Sequence, residues 1–308
     1  LQYTMFNGPF RVTDELDNAY VLRSSCGESG AYNGPNRTSV SNITLRIVDE
    51  DTNLIDKLKS GNYDAAYISG YESTQIGKKS GIELIPYSDT TWAFLLNAKK
   101  GILSAGSARH AVSLALSDVE LEAYPFLSKA KSFIPPSCQI GSSSYPDLIN
   151  SISESNNPEK AVSLWKQAVE ATSEYNIELT VIATENMEDI AKLYLQGLQK
   201  SIGSISNAEE DRKISFSLTL EIKTEKEIKS AVQSGNYDIA LYPLRANAAS
   251  PVSFLQSFAN SNLTGFDSEK FNAALQKAQT DNRAQNCLEC EKRLLETYCY
   301  IPLCYEVR

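Results

Sequence analysis

The pentapeptide SGNYD stands at Ser60–Asp64 and again at Ser234–Asp238, and each copy has the same surroundings. Ahead of the second copy, Ile214, Phe216, Leu218, Leu220 and Ile222 alternate with other residues. Ile228, Ala231 and Val232 then recur at helical spacing, and Ile239–Tyr242 follows as a short apolar run. Ahead of the first copy, Ile43, Leu45 and Ile47 alternate, Leu54, Ile55 and Leu58 mark a short helical face, and Ala65–Ile68 is again apolar. Period two, then period 3.6, then a buried run predicts strand–helix–strand, the crossover that joins parallel strands. Gly61 and Gly235 fall where a helix C-terminus needs a residue free to take positive φ. Two such units half a chain apart predict two lobes of related α/β design.

The chain's 308 residues suffice for two domains, each with its own core. A net charge of −9 leaves no basic face to neutralise phosphates, so a nucleic-acid partner is excluded. No apolar run approaches the roughly 20 residues needed to span a bilayer. The chain opens Leu1-Gln2-Tyr3-Thr4, without an initiator Met or a signal-peptide pattern, so its natural start is expected upstream.

Four of the six cysteines, Cys287, Cys290, Cys299 and Cys304, cluster near the end; Cys26 and Cys138 stand apart. Cys287 and Cys290 have the two-residue gap of zinc sites, but they fall inside a predicted helix, 282–297, and the lone histidine, His110, is distant in sequence. Disulfides of an exported protein and plain buried thiols both fit; no metal and no cofactor are expected.

Residues 1–98 read mostly as strands: one opening at Asn7-Gly8-Pro9-Phe10, then Ala19–Arg23, Ile82–Pro86 and Thr91–Leu96, with Gly27–Ser41 a long Gly/Ser/Asn loop. Ser107–Leu116 reads as a helix, and the stretch from Ile134 to Asn157 as an extended connector. Asn157 as cap, Pro158 at the first position and the stripe Ala161, Leu164, Trp165, Ala168 predict the next helix. Ile177, Leu179 and Val181 predict a strand, Met187–Ser201 a helix with Gly203 beyond its end, and 214–242 the second crossover. Helices at 267–279 and 282–297 and a strand at Tyr300–Leu303 complete an α/β lobe.

The succession Pro158-Glu159-Lys160-Ala161, Ile202-Gly203, Gly235–Ala240, Ser250-Pro251 with Phe254-Leu255, Arg283 and Ile301-Pro302-Leu303 resembles the oligopeptide/dipeptide-type solute-binding proteins of bacterial ABC importers. Gly8-Pro9-Phe10, the strand Trp92–Asn97 and Arg109-His110-Ala111 resemble the family's earlier half. The resemblance covers essentially the whole chain, and its specificity lies in the order of the motifs. It implies an α/β periplasmic-binding-protein-like fold of type II, with one complete lobe, 99–300, and a partial second lobe, 1–98 with 301–308. It also implies an extracytoplasmic location, at a lipid anchor on the cell surface or in the periplasm.

Ligands of open α/β sheets gather beyond the carboxyl ends of the strands, which points to Ser69–Glu72 and to Leu244–Ser250. A cleft closing between two such edges is the hinge mechanism of a two-lobed binder. The resemblance selects the second segment too: in peptide-binding relatives its backbone pairs with the extended peptide, and an acidic residue holds the peptide amino terminus. That acidic position falls on Asn247, which carries no charge for an ammonium, whereas Arg245 favours an anionic group. The expected ligand contacts are Leu244, Arg245, Ala246, Asn247, Gly70, Tyr71 and Trp92, although a tryptophan on such a strand also suits the core. Arg245 and Asn247 equally fit ordinary exposed loop positions. Asp64 and Asp238 are expected to fix the helix-to-strand turn.

No Gly-x-Ser-x-Gly elbow, P-loop, His-Glu-x-x-His or dinucleotide pattern is present, so the chain is not read as an enzyme. The expected function is capture of a small ligand, a peptide or another solute, by a monomer that delivers it to a membrane permease. The alternative is a ligand-sensing module serving a regulatory or receptor partner.

Overall fold

The computed structural model describes residues 8–26, 32, 39–49, 52–77, 80–150, 156–206 and 214–307. Most of the Gly27–Ser41 loop and part of the connector before Asn157 lie outside them. The chain forms two compact units, Leu1–Ala66 and Tyr67–Arg308.

In the first unit, β1 (Phe10–Leu16), β2 (Ala19–Ser24) and β3 (Asn42–Arg46) form an antiparallel meander in that order. A register shift between Val12 and Asp14 bends β1. Helix α1 (Leu54–Lys59) follows, its first turn capped by Asn53, which accepts from the Asp56 N–H. The strand expected at Ala65–Ile68 does not form. A strand exists only as a partner in a ladder, and no described strand lies alongside these residues. The first copy of the repeat is therefore strand and helix without the returning strand.

The second unit is a three-layer α/β/α sandwich. Its helices are α2 (Gly70–Ser73), α3 (Gly106–Ala115), α4 (Pro158–Thr172), α5 (Glu188–Ser206), α6 (Glu225–Ser234), α7 (Pro251–Asn260), α8 (Glu269–Thr280) and α9 (Ala284–Leu295). Its strands are β4 (Thr90–Leu96), β5 (Leu127–Lys129), the small hairpin β6 (Gln139–Ile140) and β7 (Ser143–Ser144), β8 (Asn176–Ala183), β9 (Ser215–Ile222), β10 (Ile239–Arg245) and β11 (Tyr300–Glu306). All but the hairpin join one sheet of order β5-β11-β4-β10-β8-β9. Strand β4 runs antiparallel to both β10 and β11, and every residue of it is buried. That explains its nearly unbroken apolar run: a strand covered on both faces has no polar side to alternate with.

The second copy of the repeat forms its crossover in full. Strand β9 leads through α6 to β10, with β8 hydrogen-bonded in parallel between them. The chain moves outward from β8 to β9 through α5, then back to β10 through α6. With the usual right-handed connection, that reversal puts the two helices on opposite faces. So it is: Leu198 of α5 packs with α3 and α4 residues such as Val112 and Trp165 on one face, and Ile228 and Val232 of α6 share the other with Phe254, Phe271 and Leu294. Trp165 lies edge-on to Phe216 of β9, with ring centroids 5.4 Å apart.

Strands β4 and β11 are hydrogen-bonded to each other in the middle of the second unit's sheet. Three local expectations need correction. Ile82–Pro86 forms no strand, and Ile85 is largely exposed. Gly203 lies inside α5, which continues to Ser206. Helix α7 was not predicted, although Ser250 caps it and Pro251 opens it. All six cysteines are free thiols. Cys287 and Cys290 are buried along α9, and burial pushes the Cys290 thiol up to about 12. No metal-ligating cluster occurs among the described residues.

Candidate functional site

The carboxyl ends of β10 and β11 lie beside the amino end of β4, because β4 runs the other way. Thr90, the first residue of β4, is paired with Arg245 on one side and with Glu306 on the other. The ladder extends one step further, where the Ala246 N–H donates to the Asp89 carbonyl at 2.8 Å. Asp89 is the node of this edge and is only 5 % exposed. Its Oδ1 accepts from the Thr90 hydroxyl at 2.7 Å and its Oδ2 from the Tyr67 hydroxyl at 2.9 Å. Arg245 Nε lies 3.9 Å from the same Oδ2, with half of the arginine side chain still in solvent. This is a loose ion pair that leaves the guanidinium largely in solvent.

Aromatic side chains flank the node. Tyr67 and Tyr87 meet edge to face, with centroids 6.1 Å apart, and both are substantially exposed. Tyr71, also about half exposed, stands edge-on to Phe126 at 5.9 Å. Gly70 is required where it lies: a Cβ there would sit 1.9 Å from the Val307 carbonyl oxygen and 2.6 Å from Phe126 Cβ. Its helix is opened by a capping box between Ser69 and Glu72. Thus the segment predicted at Ser69–Glu72 reaches the sheet edge at the end of β11, without the strand that was expected to lead into it.

The remaining predicted residues separate into two kinds. Asn247 is exposed just beyond β10, next to Ala246, which is buried. Leu244 and Trp92 belong to the core; Trp92 is 3 % exposed and its indole N–H donates to Glu306 Oε2 at 3.0 Å. Trp92 therefore supports the edge from beneath and presents no ring to a ligand. Asp89 and Tyr87 were not predicted. Their importance comes from the pairing of β4 with β10, which no local pattern announces.

A cavity of about 480 Å³ lies elsewhere, along the first half of β11, lined by Tyr194, Tyr298, Pro302 and Leu303 among others. A second, of about 450 Å³, lies beside α6, with Lys100, Glu221 and Asp238 in its wall. Neither includes a residue of the Asp89 edge.

The family described as bacterial extracellular solute-binding proteins, family 5 middle, matches residues 2–266. The chain belongs to this family. No curated protein matches it. Among solved structures, the family 5 chain is similar to HbpA2 from Haemophilus parasuis, with a TM-score of 0.63 and 19% identity over 98% of this chain and 59% of that one. It is similar to the ABC transporter substrate binding protein CtaP from Listeria monocytogenes, with a TM-score of 0.67 and 18% identity over 98% of this chain and 60% of that one. It is also similar to DppA from Helicobacter pylori in complex with the peptide STSA, with a TM-score of 0.58 and 19% identity over 97% and 58% of the two chains. The chain thus spans about three-fifths of the length of these structures. The fold is that of the periplasmic binding proteins, as the resemblance implied. Among the described residues, no helix is long and apolar enough to cross a membrane.

Proposed function

We propose that this family 5 chain captures an extended peptide on the edge formed by Asp89, Arg245, Asn247, Tyr67 and Tyr71, for delivery to the membrane permease of an ABC importer outside the cytoplasm. The observation that supports it most is the convergence of exposed polar and aromatic side chains where three strand ends meet, with Arg245 beside Asp89 and half in solvent. The edge of β10 beyond Ala240, where its pairing with β8 ends, suits strand addition, and tyrosines give contact area at small entropic cost. Asn247 in place of an acid, beside the Arg245 cation, selects a ligand with an anionic or neutral group there in preference to a free α-ammonium. The binding step involves no chemistry on the ligand.

A second reading is a ligand-sensing module serving a regulatory or receptor partner. One similar structure, with 16% identity and a TM-score of 0.62, is that of the pheromone receptor PrgZ.

Thermal shift with short peptides, free and N-acetylated, tests the first reading. A ligand at a hundredfold excess over its Kd stabilises by about 2.7 kcal/mol. The expected result is a rise of several degrees with particular peptides, larger for the acetylated forms and lost in Arg245→Ala. No rise with any peptide removes peptides as the ligand class.

A further inference from the structure

Glu291 of α9 is fully buried and meets no cation among the described residues. A carboxylate in that position is tolerated only where donors satisfy it, and three do. The Ser132 hydroxyl and the Phe133 N–H donate to Oε1 at 2.7 and 2.5 Å, and the Tyr145 hydroxyl donates to Oε2 at 2.8 Å. Ser132 is held twice more, its N–H donating to the Tyr305 hydroxyl and its carbonyl accepting from it, both at 2.9 Å. Burial holds the Glu291 carboxyl above the ordinary carboxylate range, and the donors from 132–134 and Tyr145 work against that rise.

The segment fastened in this way, 132–145, continues to the ligand edge. The Phe133 carbonyl accepts from the Thr91 hydroxyl at 2.9 Å. The Ser137 N–H donates to the Ser88 carbonyl at 2.8 Å, and the Gln139 N–H to the Ala249 carbonyl at 3.1 Å. Ser88 precedes Asp89, and Ala249 lies two residues beyond Asn247. One buried carboxylate thus anchors a segment that grips both sides of the candidate site.

We infer that Glu291 is a positioning residue for the Arg245–Asn247 edge, acting through segment 132–145. The inference rests on the proposed ligand edge, but its decisive test uses no ligand. Amide hydrogen exchange is measured on the full chain and on Tyr145→Phe, Glu291→Leu and Glu291→Gln. Tyr145→Phe removes one donor at little risk to folding. It is expected to speed exchange at Ser137, Gln139 and Ala246 about tenfold while leaving Leu218 and Leu220 of β9 unchanged. Glu291→Leu is expected to do more at the same three amides. Glu291→Gln, which keeps an acceptor for Ser132 and Phe133 and turns a donor to Tyr145, should stay within about threefold of the parent.

Unchanged exchange at all three amides in Tyr145→Phe and Glu291→Leu overturns the inference. So does a rise that is equal at β9, since that marks a general loss of stability. With any peptide that binds the parent chain, Tyr145→Phe should weaken affinity about tenfold. If no peptide binds, the ligand reading fails while the exchange result still decides the role of Glu291.

Discussion

The two SGNYD copies close their helices in the same way and then part company. At each, the glycine stands at positive φ, +70° at Gly61 and +72° at Gly235. The following asparagine N–H reaches back five residues, Asn62 to the Lys57 carbonyl at 3.0 Å and Asn236 to the Ala231 carbonyl at 2.8 Å. This is the Schellman closure, and it is written entirely in local residues. Beyond it the second copy is built into the sheet. Tyr237 is buried with its hydroxyl donating to the Leu263 carbonyl at 2.9 Å. Asp238 accepts from the Thr180 N–H at 2.9 Å and pairs with Lys100 at 3.1 Å. Asn97 donates to the carbonyls of both Gly235 and Tyr237. In the first copy Asp64 is exposed, Tyr63 only half-buried, and no strand follows. The helix stop is a property of the pentapeptide, whereas the strand after it is a property of the neighbours.

The sharpest separation is expected from the tyrosines. Tyr237→Ala empties a core position and should cost about 3–5 kcal/mol, whereas Tyr63→Ala should stay within about 1 kcal/mol. Urea unfolding of each variant measures the difference, and equal losses would dissolve the contrast. The glycines should behave alike instead. An added Cβ meets nothing within 4 Å at Gly61 or at Gly235, so alanine costs only the left-handed conformation, about 1–2 kcal/mol at either. A clear inequality between the two would show that the caps are not equivalent after all.

The smallest effect concerns the start of α6, where Thr224 and Glu227 form a capping box. Two donors from Thr224, its hydroxyl and its N–H, hold the Glu227 carboxyl below its ordinary value of 4.5. A depressed folded value means that the stabilisation is present above the unfolded value and is lost as pH falls through the folded one. The urea midpoint of the parent should therefore exceed that of Glu227→Gln at neutral pH, with the gap closing below about 4.5. A gap that stays constant on acidification would remove the carboxylate from the cap.

Legibility in the sequence follows the same division. Asn157-Pro158 and the stripe through Trp165 announced α4, and the alternation of Ile177–Val181 announced β8, because caps and periodicity act within a few residues. Gly203 misled, since α5 runs through it to Ser206. Ile82–Pro86 has strand-forming residues but no ladder. The rule that ligands gather at strand ends pointed to Leu244–Ser250 as a candidate, and the structure places Arg245 at the end of β10 with Asn247 just beyond it. Asp89 was not, because its role comes from the register of β4 against β10, and Glu291 was not, because its partners lie at least 146 residues away.

Strand β11 carries a consequence for synthesis. The bond from Trp92 to Glu306 joins residues 214 apart, and among the described residues β5 pairs in the sheet with β11 alone. As the chain leaves a ribosome, β4 and β5 emerge long before the strand that sits between them. Both edges of β4 are bare until β10 is made, one stays bare until β11 is made, and until then the Trp92 indole N–H lacks the carboxylate that accepts its hydrogen bond. Contacts of such long separation slow folding, so the central strand of this unit waits longest for its partners.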